Sequence, residues 1–218
     1  MMDPLTLTKN RLKEAGVIAI LRGQAPSKLF QRGIALAEMG YTAIEVTLDS
    51  KDALETIERL RKALPDSVLI GVGTVLNHGQ IEGCMDAGIT FALSPTFPEG
   101  MIEGFHSNGI LAIPGVRNVS ELRLAQQAGA QIVKLFPSSE WTPEQLEDVS
   151  IPCIPVGGID HQSIWPWLDA GAWCVGMGAN LCGSDLDQEG DDNLDWIQNQ
   201  EQQARDIFME LQRRHNTA

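Results

Sequence analysis

What this 218-residue chain lacks narrows its function before any motif is read. Basic residues are few: 16 Lys and Arg stand against 29 Asp and Glu, leaving a net charge of −13. Nucleic acid and anionic membrane surfaces are poor partners for such a chain. No apolar run is long enough to span a bilayer, and Met1 to Asn10 lacks the apolar core of a secretion signal. A soluble, cytoplasmic protein is expected. The cysteines, Cys84, Cys153, Cys174 and Cys182, show no C-x-x-C spacing, and Cys153 and Cys174 lie inside apolar runs. They read as small buried thiols rather than metal or redox groups. No strand-like run carries a histidine, so no metal is expected. A Pro- or Ser-rich linker is also missing, which favours one domain over residues 1–218. The acidic stretch Asp185 to Asp195 reads as a solvated loop.

What is present is a repeat. A helical segment ends in a small residue and a glycine, and an apolar run of strand length follows at once. Gly16, Gly40, Gly88, Gly109, Gly129 and Gly171 each stand where a helix ends in a left-handed turn, which glycine adopts most cheaply. The strand-like runs are Val17–Arg22, Thr42–Leu48, Val68–Val75, Thr90–Pro95, Leu111–Val116, Gln131–Pro137, Pro152–Gly158 and Trp173–Gly178. Their spacing of roughly 20 to 26 residues is that of one βα unit. Helix starts are marked by Thr142-Pro-Glu-Gln145, a capping box with proline at the first position, and by the similar Asn118-Val-Ser-Glu121. Ala53, Ile57, Leu60 and Leu64 share one helix face. Pro166 should start its helix late or kink it.

Eight such units predict an α/β fold, a single TIM (β/α)8 barrel with extra helices at both ends; an open doubly wound sheet is the alternative. A terminal helix within Asn193 to His215 would pack Leu194, Ile197, Ala204, Ile207, Phe208 and Leu211 on the barrel. Trp165 and Trp167 read as an exposed aromatic pair suited to an interface.

Chemistry in this architecture belongs at the C-terminal ends of the strands. Lys134 sits in the apolar run Gln131-Ile-Val-Lys-Leu-Phe-Pro137. Buried, it would have a lowered pKa and a nucleophilic amine able to form a Schiff base with a ketone. The plainer reading is a strand lysine with its head in water. Alternation on strand two puts Ala43, Glu45 and Thr47 on one face and the apolar Ile44, Val46 and Leu48 on the other, so Glu45 points inward. A buried carboxylate there needs a partner, and Lys134 is one. Strand three ends Gly71-Val-Gly-Thr74, where two glycines would let a ligand approach the backbone. Glycines after strands seven and eight, at Gly157-Gly158 and Gly176-Met-Gly178, suit a phosphate held by backbone N–H groups.

Ala19-Ile-Leu-Arg-Gly23, Ile44-Glu-Val-Thr-Leu48, Ile70-Gly-Val-Gly-Thr-Val-Leu76, Leu93-Ser-Pro95, Ile113-Pro-Gly115, Val133-Lys-Leu-Phe-Pro137 and Pro155-Val-Gly-Gly-Ile159 occur in this order. The set resembles the KDPG/KHG aldolases, class I enzymes acting on 2-keto-3-deoxy-6-phospho sugar acids. The resemblance spans about Val17 to Gly183. It implies Lys134 as the Schiff-base residue, Glu45 as general acid/base, Thr74 as holding the pyruvate part and Pro95 as lining the pocket. Gly158 and the Gly178-Ala179 turn would form the phosphate edge. Gluconate-type members carry an arginine where Asp49 stands, so Arg22 is the candidate for the substrate carboxylate. Ala179 stands where the family often has serine. Ile20-Leu-Arg-Gly23 and Phe136-Pro-Ser-Ser139 are similar to the galactonate branch.

The resemblance thus implies retro-aldol cleavage to pyruvate and glyceraldehyde 3-phosphate, no cofactor and a homotrimer. A phosphosugar isomerase or epimerase, or a non-catalytic phosphometabolite-binding barrel, are the alternatives on the same scaffold.

Overall fold

A computed structural model describes residues 2–183 and 200–216. Asp185 to Asp195, Leu194 and Ile197 lie outside the described residues. Helix α1 (Pro4–Ala15) precedes strand β1 (Val17–Leu21), and the chain then alternates. There follow α2 (Pro26–Met39), β2 (Ala43–Thr47), α3 (Ala53–Ala63), β3 (Leu69–Gly73), α4 (His78–Gly83), β4 (Phe91–Leu93), α5 (Met101–His106) and β5 (Leu111–Ile113). Next come β6 (Gly115–Val116), α6 (Val119–Gln127), β7 (Val133–Leu135), β8 (Cys153–Pro155), α7 (Ile164–Asp169), β9 (Val175–Met177), α8 (Ala179–Cys182) and α9 (Glu201–His215).

Each of the eight expected runs therefore holds a strand. The fifth is split into β5 and β6 by Pro114, which has no N–H for a ladder; its carbonyl still accepts the Lys134 N–H at 2.9 Å. All pairings are parallel. One sheet runs β5-β4-β3-β2-β1-β9 and a second runs β6-β7-β8. They meet twice, through the continuous chain at Pro114 and through a parallel bridge between Val156 and Gly176. The result is a curved α/β structure, not a flat open sheet.

Alternation along these strands creates two apolar cores. Outward side chains such as Val17, Ile44, Val46, Ile70 and Val72 pack with helix residues including Leu29, Leu36, Ile57 and Leu60. Inward ones form the second core, with Ile18, Ile20, Ala43, Leu69, Phe91, Leu93, Leu111, Ile113 and Ile154. Leu5 and Leu12 of α1 join this inner core, so α1 covers one end of the curved sheet. At the other end of the chain α9 buries Ala204, Ile207 and Leu211. The Tyr41 hydroxyl donates to the Ala204 carbonyl at 2.8 Å.

Local signals hold well. All six helix-ending glycines have positive φ, from 69° at Gly16 to 109° at Gly40. Both capping residues work: Asn118 accepts from the Glu121 N–H, and the box at Thr142 and Gln145 opens a 3₁₀ turn rather than an α-helix. Pro166 occupies the third position of α7, inside the first turn where no intrahelical donor is required. The tryptophan expectation is corrected. Trp167 is buried in the outer core, and Trp165 is half-buried beneath the Arg214 guanidinium, 4.5 Å from its ring centre. Neither offers an open aromatic face. The four cysteines are all free and buried.

Two of the helix-ending glycines should respond differently to alanine. Gly129 has φ +92° with nothing within 4 Å of an added Cβ, so only the left-handed backbone cost of about 1–2 kcal/mol applies. At Gly40 the added Cβ would lie 2.2 Å from the Phe208 ring, adding an overpacking cost of about 1–3 kcal/mol. Urea unfolding of Gly40→Ala and Gly129→Ala should rank them in that order; equal losses would contradict the packing of α9 on α2.

Candidate active site

A cavity of about 510 Å³ opens at the C-terminal ends of the strands. Arg22, Glu45, Thr74, Pro95, Lys134, Gly158, Gly178 and Ala179 all line it. The eight expected site residues are thus brought together, although they come from seven separate strand ends.

Lys134, central in β7, pairs in register with Gly115 on one side and Ile154 on the other. Only 5% of it is exposed, and its Nζ lies 4.7 Å from the centre of the Phe136 ring. Burial pushes its pKa down; the Glu45 charge opposes this and the Arg22 charge adds to it. Glu45, in β2 between Ile20 and Gly71, is 1% exposed. Burial pushes its pKa up, against the attraction of Lys134 and Arg22. Both shifts point the same way, because desolvation outweighs the mutual attraction. Each shift favours the neutral form, the amine for Lys134 and the carboxylic acid for Glu45. Glu45 Oε2 has no hydrogen-bond partner among the described residues, so one acid oxygen is available to a bound molecule.

The glycines of strand three have a different purpose from the one expected. They do not open the backbone to a ligand. A Cβ on Gly71 would meet the Phe91 ring at 2.2 Å, and one on Gly73 would meet Glu45 Oε1 at 1.6 Å. Each glycine makes room for a large side chain from the neighbouring strand. Thr74 follows with φ +61°, a left-handed conformation that a β-branched residue adopts at a cost of about 1–3 kcal/mol. The next residues hold it there: Val75 donates its N–H to the Leu93 carbonyl, and Leu76 donates to Gln80 Oε1 at 2.7 Å.

The remaining strand ends are cross-linked. Gly115 lets β6 lie against Ser94 and Pro95, where a Cβ would stand 2.5 Å from their backbone, and its N–H bonds the Thr96 carbonyl at 2.7 Å. That contact sets Pro95 in the cavity wall. Ser138 Oγ donates to the Gly157 carbonyl at 2.5 Å, joining the ends of β7 and β8. Asn180 Nδ2 donates to the Ile159 carbonyl at 3.0 Å, joining the turn after β8 to α8. An added Cβ at Gly158 or Gly178 would meet nothing within 4 Å, so this edge presents open backbone. Arg22 and Asp49 form an ion pair at 2.6 Å. Arg117, at another strand end, is taken up by Glu140 instead.

The family profile described as KDPG and KHG aldolase matches residues 8–198. The chain belongs to the KDPG and KHG aldolase family. It is an aldolase, a carbon–carbon lyase. The chain is 31% identical to 2-dehydro-3-deoxy-6-phosphogalactonate aldolase of Escherichia coli K12 over 171 residues, 76% of this chain and 83% of that one. Among solved structures, a native KDPGal structure superposes with a TM-score of 0.78 at 29% identity, covering 93% of this chain and 96% of that one. A KDPG aldolase from Legionella pneumophila, with pyruvate captured as a covalent carbinolamine, gives a TM-score of 0.72 at 27% identity and covers 93% and 97%.

In this aldolase the cavity also uses residues that sequence reasoning passed over: Ile20, Thr47, Phe136, Val156, Ile159, Asn180 and Gly183. Phe136 and Val156 lay inside recognised strand runs, and their inward register was the available signal. Asn180 had none, since its role is a contact with a carbonyl 21 positions away.

Gly73→Ala should displace the Glu45 carboxylate and lower aldolase turnover roughly 10²–10⁴-fold, as Glu45→Gln should. The double variant should fall no further than either single one. Near-normal steady-state turnover in Glu45→Gln would remove Glu45 from the proton transfers.

Proposed function

We propose that this aldolase cleaves a 2-keto-3-deoxy-6-phospho sugar acid, of gluconate or galactonate configuration, to pyruvate and glyceraldehyde 3-phosphate through a Schiff base on Lys134. The observation carrying this reading is a buried lysine and a buried carboxylic acid in one cavity, each pushed toward its neutral form. The neutral Lys134 amine attacks the C2 ketone. Glu45 gives its proton to the carbinolamine oxygen, which leaves as water. The resulting iminium accepts the electron pair released when C3–C4 breaks, and the Glu45 carboxylate takes the proton of the C4 hydroxyl, directly or through water. Glu45 then passes that proton to C3 of the enamine, and water hydrolyses the iminium, freeing pyruvate and the neutral amine while the released proton restores the Glu45 acid.

Arg22 and Thr74 hold the carboxylate end, and Pro95 walls the pocket. Gly158, Gly178 and Ala179 receive the phosphate through backbone N–H groups, a reading supported by the unobstructed backbone there. The scheme uses no metal or organic cofactor. The scaffold we infer is a single-domain, closed (β/α)8 barrel. It is supported by the two joins between the sheets and by helices α1 and α9 flanking the repeat. A cytoplasmic homotrimer is the assembly implied by the family resemblance.

Treatment with pyruvate and borohydride should add a reduced pyruvyl group at Lys134, located by peptide mass analysis. An unmodified Lys134 would sink the Schiff-base reading. Burial holds the amine below its ordinary 10.5. The trapping rate should therefore rise with pH and level off below pH 10.5; a rate still climbing there would place the amine in water. Pyruvate release from the two C4 epimers, assayed side by side, identifies the substrate configuration, and release from neither would remove this substrate class.

A further inference from the structure

The chain segment leaving β1 is fastened on both flanks. Gly23 donates its N–H to Ser50 Oγ at 2.9 Å, and Ser50 Oγ lies 3.1 Å from Thr47 Oγ1. Gln24 is buried and donates Nε2 to the Cys182 and Gly183 carbonyls at 3.2 and 2.6 Å. The backbone around Arg22 is thus held without any help from the Arg22 side chain.

That side chain is exposed, long and lines the cavity. A free arginine in this setting samples many rotamers and loses that freedom when it grips a ligand. Here Nε and Nη2 both donate to Asp49 Oδ2, at 3.0 and 2.6 Å, while Nη1 makes no hydrogen bond among the described residues. Asp49 is not itself among the cavity-lining residues. Burial alone would raise its carboxyl, but hydrogen bonds from Thr47 and Arg22 and the guanidinium charge hold it below its ordinary value. It is a carboxylate at neutral pH.

We propose that Asp49 is a positioning residue for substrate recognition. It grips Arg22 along the Nε–Nη2 side, from outside the cavity, and leaves the Nη1 end of the guanidinium to receive the carboxylate of the 2-keto acid. A guanidinium has five donors in a fixed plane and can serve two carboxylates at once. The Asp49 charge reaches into the cavity far enough to raise the Glu45 pKa, but its side chain is 40% exposed, so its repulsion of a substrate carboxylate is partly screened. Fixing the guanidinium in advance removes part of the ordering cost of binding. The proposal rests on the Schiff-base reading above.

The test is the pyruvate concentration giving half-maximal borohydride trapping. Asp49→Asn should raise it about tenfold by freeing Arg22, with maximal trapping unchanged. Asp49→Glu should recover part of the loss. In an Arg22→Ala background, which is itself weakened, Asp49→Asn should add nothing further. Wild-type half-saturation in Asp49→Asn, or an undiminished effect in the Arg22→Ala background, would overturn the proposal while leaving the Schiff base intact. A lowered melting temperature with unchanged half-saturation would assign Asp49 a purely structural role, also against it. Wild-type protein that pyruvate and borohydride leave unmodified would remove the Schiff-base reading and this proposal together.

Discussion

The constraint on which the rest of this structure depends is the exclusion of water from Lys134 and Glu45. Two opposite charges in a dry interior attract strongly, yet each loses more by leaving water than such a pair usually returns. Burial shifts both groups toward their neutral forms, amine and carboxylic acid, which are the forms a Schiff-base aldolase needs at the start of its cycle. The apolar packing beneath them maintains that dryness. Inner-core residues fill the curved sheet, Leu5 and Leu12 of α1 cover its far end, and the Phe136 ring lies against Lys134 Nζ.

Space for the acid is made by subtraction. Glu45 occupies the volume that a side chain at position 73 would take, just as Phe91 occupies the volume above Gly71. The same device recurs at Gly176, where an added Cβ would meet Val156 at 2.7 Å and Ile20 at 3.0 Å. A narrow interior can hold large side chains from one strand only if the neighbouring strand supplies none. Around this interior the strand ends are tied to one another by short polar links, Ser138 to Gly157, Asn180 to Ile159 and Gly23 to Ser50. The links give loop residues the fixed positions that catalysis requires. Thr74, held left-handed, is the place where that rigidity supports a strained backbone.

Much of this was legible in the chain. Strands, helix ends and the inward face of β2 follow from alternation, glycine placement and capping residues, which are local and short-ranged. Lys134 and Glu45 stand out on their strands by the same reasoning, whereas the roles of Arg22, Thr74, Pro95 and Ala179 are what the resemblance to the KDPG/KHG aldolases implies. The signals that failed had no local component. Gly71 and Gly73 looked like openings for a ligand, and nothing near them in sequence names Phe91 or Glu45 as the occupant. Trp165 and Trp167 were expected to form an exposed pair; contact with the outer core and with Arg214 decided otherwise.

The sequence by itself determined the order of elements, the helix-ending turns and which residues could do chemistry. These depend on neighbours within a few positions. Tertiary structure alone decided the shift of Lys134 and Glu45 toward their neutral forms, the pairing of Arg22 with Asp49 across 27 positions, and the cavity that gathers seven strand ends. Desolvation and ion pairing depend on what fills the surrounding few ångströms, and in this fold those neighbours come from the whole length of the chain.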